Sequence, residues 1–222
     1  MPPKPRPHGK RKPPGPSTGP DRRLLAILGV TGVALVGIVA VALAVGVGGN
    51  DEAADARPAL EAAGCTVTTV EALSGAHTIA TPDGTSDEWN TDPPTSGPHY
   101  EVTAIWGSFQ EPVNQAQLLH NLEHGGVAIQ YGDDVSPATV EQLEAFVADN
   151  PRGTILAPYP SLGGQIALGA WVTESASEPD AGNGYLAKCD SFDEQAFQAF
   201  LDAYQFRGPE RFPADTLLPG RQ

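Results

Sequence analysis

Twenty-four consecutive residues, Leu24 to Val47, carry no charge and nothing more polar than one threonine. At about 1.5 Å of rise per residue, such a helix exceeds the ~30 Å hydrocarbon core of a bilayer. In lipid a lone segment of this kind satisfies its backbone only as a helix. The flanks differ sharply in charge. Residues 1–23 hold seven Lys/Arg (Lys4, Arg6, Lys10, Arg11, Lys12, Arg22, Arg23) against one acid, and residues 48–222 hold six against 26 acids. The net charge of −14 is therefore a matter of location. The positive-inside rule places the basic end in the cytoplasm and the acidic remainder outside. The pattern excludes a simple cytosolic enzyme, a nucleic-acid binder with a basic domain and a multi-pass channel. A cleaved signal peptide is the rival reading, from Ala42-Leu43-Ala44 and Arg22-Arg23, but the apolar run is longer than the usual h-region. Either way the expected location of the folded part is outside the plasma membrane, and the expected partner of the apolar helix is the bilayer.

Four regions follow: a disordered basic tail, 1–23; a transmembrane helix, 24–47; an acidic, Ala-rich linker with room for a short helix, 48–61; and an exported domain, 62–222. Within the domain, Cys65–Val70 is β-branched and reads as a strand. Gly75–Pro98 reads as a long ordered loop. Pro112–His124 reads as a helix stopped by Gly125-Gly126. Val127–Tyr131 reads as a strand. Ser136 and Pro137 open a helix that ends before Asn150-Pro151. Thr154–Ala157 and Gln165–Thr173 read as strands, joined as a hairpin. Ser191 to Glu194 reads as a capping box for a last helix carrying Phe192, Phe197, Phe200, Leu201 and Tyr204. The order predicts an α/β (α+β) sandwich, a mixed sheet with flanking helices in thioredoxin-like order, with a parallel crossover at 127–157. No C-x-x-C is present, which excludes thiol redox chemistry of that type.

Cys65 and Cys189 are the only cysteines. Outside the cytoplasm two cysteines most simply form one disulfide, here tying the first strand to the start of the last helix.

Two segments concentrate chemistry. In Pro93–Tyr100 (P-P-T-S-G-P-H-Y), three prolines and a glycine hold His99 and Tyr100 in a fixed loop. In His120–Gly126 (H-N-L-E-H-G-G), His120 and His124 share a helix face, so both imidazoles can address one ion. Glu123 and Tyr100 are expected to support them. With the only methionine at position 1 and the cysteines paired, the donors are imidazole and carboxylate, which suits Cu(II) or Zn(II) rather than Cu(I). The expected ligands are His99, His120 and His124, with His77 a weaker fourth candidate. Two other readings remain open. The histidines can serve a structural or protein-interaction domain with an unidentified protein partner and no metal, the helix-end pair meeting the C-terminal dipole. Alternatively H-x-x-E-H matches a zinc-peptidase pattern, with Glu141, Glu144 or Glu194 as further ligand of a metal-dependent hydrolase. Nothing in the sequence commits the chain to catalysis, and nothing suggests nucleic acid.

The two segments, with Val127-Ala-Ile-Gln-Tyr131, Ala157-Pro-Tyr-Pro160, Ile166-Ala-Leu-Gly-Ala-Trp171 and Lys188-Cys-Asp-Ser-Phe-Asp193, resemble a bacterial family catalogued as domain of unknown function 3105. The resemblance covers roughly residues 60–207. It implies a single-anchor exported protein and no particular activity.

Overall fold

A computed structural model describes residues 55–79, 83–175 and 182–222. The basic tail, the apolar segment Leu24–Val47 and the first part of the linker lie outside the described residues, as do 80–82 and 176–181. Among the described residues, no helix is long and apolar enough to cross a membrane.

The frame is a six-stranded mixed sheet. Its strands are β1 (Thr66–Glu71), β2 (Gly107–Ser108), β3 (Val127–Tyr131), β4 (Thr154–Pro158), β5 (Ile166–Val172) and β6 (Asn183–Cys189), in the order β1-β6-β5-β3-β4-β2. Strand β4 lies parallel to both β3 and β2, and the remaining pairs are antiparallel. The helices are α1 (Arg57–Ala62), α2 (Gln115–Glu123), α3 (Pro137–Asp149) and α4 (Glu194–Tyr204). Alternation along the strands divides the core in two. Val127 and Ile129 of β3 join Leu60 of α1, Leu143 and Phe146 of α3, and Phe197 and Phe200 of α4 on one face. Ala128 of β3, Ile155 of β4 and Trp171 of β5 join Leu118, Leu119 and Leu122 of α2 on the other. Fully burying side chains of this size stabilises by roughly 1.5–3 kcal/mol each before entropy is counted.

The crossover at 127–157 is parallel, as the sequence leads one to expect. Ser136 caps α3 by accepting from Thr139 N at 3.2 Å, with Pro137 in the first turn. Several expectations require correction. Strands β4 and β5 form no hairpin, because β5 pairs with β3 and β6; the hairpin is β5–β6. Strand β6 (N-G-Y-L-A-K-C) has few β-branched residues, so its sequence does not announce it. The last helix is capped by Asp193, which accepts from Ala196 N at 2.9 Å, and not by Ser191. Helix α2 begins at Gln115, three residues later than expected, because Asn114 Oδ1 accepts from Ala116 N and Gln117 N at 3.0 and 3.2 Å. The Arg57–Glu61 part of the expected linker belongs to α1, and Leu60 is fully buried.

The disulfide joins Cys65 to Cys189 across 124 positions of sequence. Cys189 is the last residue of β6, so the bond ties β1 to its neighbouring strand instead of to the last helix.

Candidate metal centre

The site lies on the α2 face of the sheet. Helix α2 ends in a Schellman arrangement: Gly126 N donates to Asn121 O and Gly125 N to Leu122 O, both at 2.9 Å. Gly125 has φ +89°, and a Cβ there would lie 2.9 Å from Phe206 Cα. The last turn thus delivers His120, Glu123 and His124 at a defined place. Asn121, fully buried, clamps the preceding loop by accepting from Ala104 N at 2.8 Å and donating to Ala104 O at 3.0 Å.

The Pro93–Tyr100 loop lies beneath this turn, and its residues through His99 are buried. Trp89 Nε1 donates to Pro98 O at 3.0 Å, and Leu73 N donates to Ser96 Oγ at 3.1 Å. The second bond also brings the 72–79 segment, and His77 with it, to the site.

Glu123 Oε2 is the common neighbour of three imidazoles. It lies 3.1 Å from His99 Nε2, 3.4 Å from His77 Nε2 and 3.8 Å from His120 Nε2. The three ring centroids form a nearly equilateral triangle with sides of 4.7, 4.8 and 5.0 Å. His99 is fully buried, His120 and Glu123 are buried, and the His77 side chain is 34 % exposed. A tetrahedral ion with bonds of about 2.05 Å needs ligand atoms about 3.3 Å apart. The three carboxylate–imidazole separations bracket that value.

The outer nitrogens are already committed. His99 Nδ1 donates to Gly97 O and His120 Nδ1 donates to Tyr100 O, each at 2.8 Å. A carbonyl has no proton to give, so Nδ1 must carry it in both rings. In the neutral rings Nε2 therefore presents a lone pair to an anionic oxygen. Acceptors facing one another demand a cation between them, either a metal ion or a proton. A ring N–H held by a backbone carbonyl is also the usual support of a metal-bound histidine. Tyr100 meets the group through its main-chain carbonyl, which accepts from His120 Nδ1.

The electrostatics agree. Burial alone would raise the Glu123 carboxyl, but the hydrogen bond and charge of His99, with the charge of His120, outweigh it and hold the group below the usual carboxylate range. Burial, then the His99 charge, lowers His120. Burial, then the His120 charge, lowers His124 to about 4. Glu123 is thus ionised and the two helix histidines neutral at neutral pH, the forms that bind metal.

His124 does not join this group. At about 100° per residue, Glu123 lies some 60° to one side of His120 and His124 some 40° to the other. Two neighbours of one histidine thereby face different ways. His124 forms a second group with His120 and Glu210, its Nε2 lying 3.5 Å from Glu210 Oε2. Its place near Glu123 is taken by His77, which the sequence ranked last because it stands alone in a Gly- and Ser-containing stretch. Glu210 went unnoticed because its own neighbourhood carries no motif. Glu141, Glu144 and Glu194 belong to neither group, and Glu144 accepts from Gln110 Nε2 at 2.7 Å.

A family model described as protein of unknown function (DUF3105) matches residues 81–216. The chain belongs to that family. The matched span holds His99, His120, Glu123, His124 and Glu210, while His77 and Cys65 precede it. Among curated proteins and among solved structures, nothing matches. Membership of DUF3105 assigns no activity, so the chemistry must be read from the site itself.

Proposed function

We propose that this DUF3105 chain is a single-pass membrane protein, N-terminus in the cytoplasm, whose exported domain holds one divalent transition-metal ion. The ligands are His77, His99 and His120 through Nε2 and Glu123 through Oε2. The observation that carries the reading is the convergence of three imidazoles on Glu123 Oε2, with Nδ1 of His99 and of His120 engaged by carbonyls so that, in the neutral rings, Nε2 faces the carboxylate as a lone pair. Imidazole and carboxylate donors suit Zn(II) or Cu(II), and the Glu123–imidazole separations of 3.1, 3.4 and 3.8 Å lie near those of a tetrahedral Zn(II) site. The acidity of residues 48–222 favours cation capture at low salt. The strand order β4-β3-β5-β6, with β3 and β4 parallel, supports a thioredoxin-like core as the scaffold.

The test is elemental analysis of the untagged full-length chain beside His120→Gln and Glu123→Gln variants. The wild type is expected to retain a single equivalent of metal and both variants to lose it. Equal trace metal in all three refutes the reading. A second reading draws on the 3.1 Å His99–Glu123 contact, which is also a good hydrogen-bond distance. With a proton in place of the ion, the group would clasp the Pro93–Tyr100 loop to α2, and the variants would lose stability with no change in metal content.

A further inference from the structure

His120 and His124 have ring centroids 4.5 Å apart, with planes inclined at 72°. Glu210 stands 3.5 Å from His124, and its side chain is 48 % exposed, against 6 % for Glu123. The segment bearing Glu210 is fastened to the inner site: Glu210 N donates to Glu123 O at 3.0 Å. On the outer side Phe212 covers the His124 ring, with centroids 4.1 Å apart. One buried carboxylate and one half-exposed carboxylate therefore flank His120, their two segments tied by a backbone hydrogen bond.

His120 can serve only one of these groups at a time. Its Nδ1 is spent on Tyr100 O, leaving Nε2 as its single lone pair. Two fully ligated ions cannot both claim that nitrogen. Two candidate ligand sets share His120, the outer with its carboxylate half-exposed and the inner with its carboxylate buried, and with Nδ1 engaged only Nε2 is left to serve either, so they describe successive positions of one ion.

We propose that His124 and Glu210 form a surface loading station through which a divalent ion reaches the inner group, with His120 Nε2 held in both positions. The proposal rests on the inner group binding metal. Glu210 and His124 replace part of the ion's water at the surface, so the cost of stripping it is spread over two steps. His120 then keeps the ion attached as Glu123, His99 and His77 take over.

The test uses the untagged full-length chain, wild type and the variants Glu210→Gln and His124→Gln. Zn(II) is delivered from, and withdrawn to, a chromogenic chelator in stopped flow. High salt suppresses general attraction by the acidic surface, and Glu194→Gln controls for the lost charge. Loss of the station should slow uptake and release together, by about tenfold or more, so that their ratio holds near the wild-type affinity. Unchanged rates in both variants would overturn the proposal, showing that the ion reaches the inner group past His77. A fall in affinity with unchanged uptake would also overturn it, because His124 and Glu210 would then be equilibrium ligands. Two ions bound tightly by the wild type would refute the sharing of His120. A wild type that takes up no ion removes the inner reading itself, a result distinguishable from all of these.

Discussion

The carboxylate at the centre of the site has room because residue 75 has no side chain. A Cβ built on Gly75 would fall less than 3.0 Å from Glu123 Oε1 and 3.1 Å from Trp171 Cη2. Trp171 is fully buried and cannot retreat, so in Gly75→Ala the carboxylate must move by about 1 Å. Gly75 has no positive φ, so alanine meets no backbone penalty there. Crowding costs about 1–3 kcal/mol, offset in part by the ~0.4–1 kcal/mol that alanine gains by restricting the unfolded chain. Metal binding should suffer more. Displacing a ligand by this distance is expected to weaken affinity about 10–100-fold, as loss of a supporting contact does. At free Zn(II) equal to about 100 times the wild-type dissociation constant, the ion stabilises the wild type by about 2.7 kcal/mol. With affinity weakened about thirtyfold, the same ion stabilises Gly75→Ala by only about 0.9 kcal/mol. Thermal unfolding with and without chelator, beside a competition titration, measures both quantities. A folded Gly75→Ala domain with wild-type affinity and the full metal-induced shift would refute the argument that Glu123 is a ligand.

Three further outcomes are expected. Replacing Cys65 and Cys189 by serine removes a cross-link that closes 124 positions of chain, and should cost about 4–5 kcal/mol in the chain-entropy account, read by denaturant unfolding; a cost below ~1 kcal/mol contradicts it. Asp193→Ala should cost about 1 kcal/mol in the same assay, whereas Ser191→Ala should be neutral, since only Asp193 caps α4; the reverse ranking would restore the capping box. The Tyr204 phenol is pushed up to about 12 by burial, then by the Asp55 and Tyr185 charges, so its contribution is intact below pH about 10 and lost as pH rises through about 12. Stability should fall by at most about 2 kcal/mol from this group across that window, and Tyr204→Phe should flatten the decline; an equally steep decline would show that another group governs it.

Local signals carried far in this chain. Ser136-Pro137 announces α3 because a cap and a proline act on adjacent residues. Gly125-Gly126 ends α2 because a left-handed residue is needed there. His120 and Glu123 are neighbours by helix geometry alone, and two cysteines leave one way to pair. Other features depend on partners far along the chain. The β5–β6 hairpin exists because β6, weak by composition, fits between β1 and β5. His77 reaches Glu123 because β1 lies beside β6 and because Leu73 bonds to Ser96, neither of which shows in the residues around position 77.

Chain chemistry by itself therefore determined the donor types, the pair on the helix and the elements whose signals lie within a few residues. Tertiary structure alone decided that His77 and not His124 stands beside Glu123, and that Glu210 is His124's neighbour. The physical reason is angular: one turn of helix sends Glu123 and His124 to opposite sides of His120, and only the packed segments around the helix end determine what each one meets.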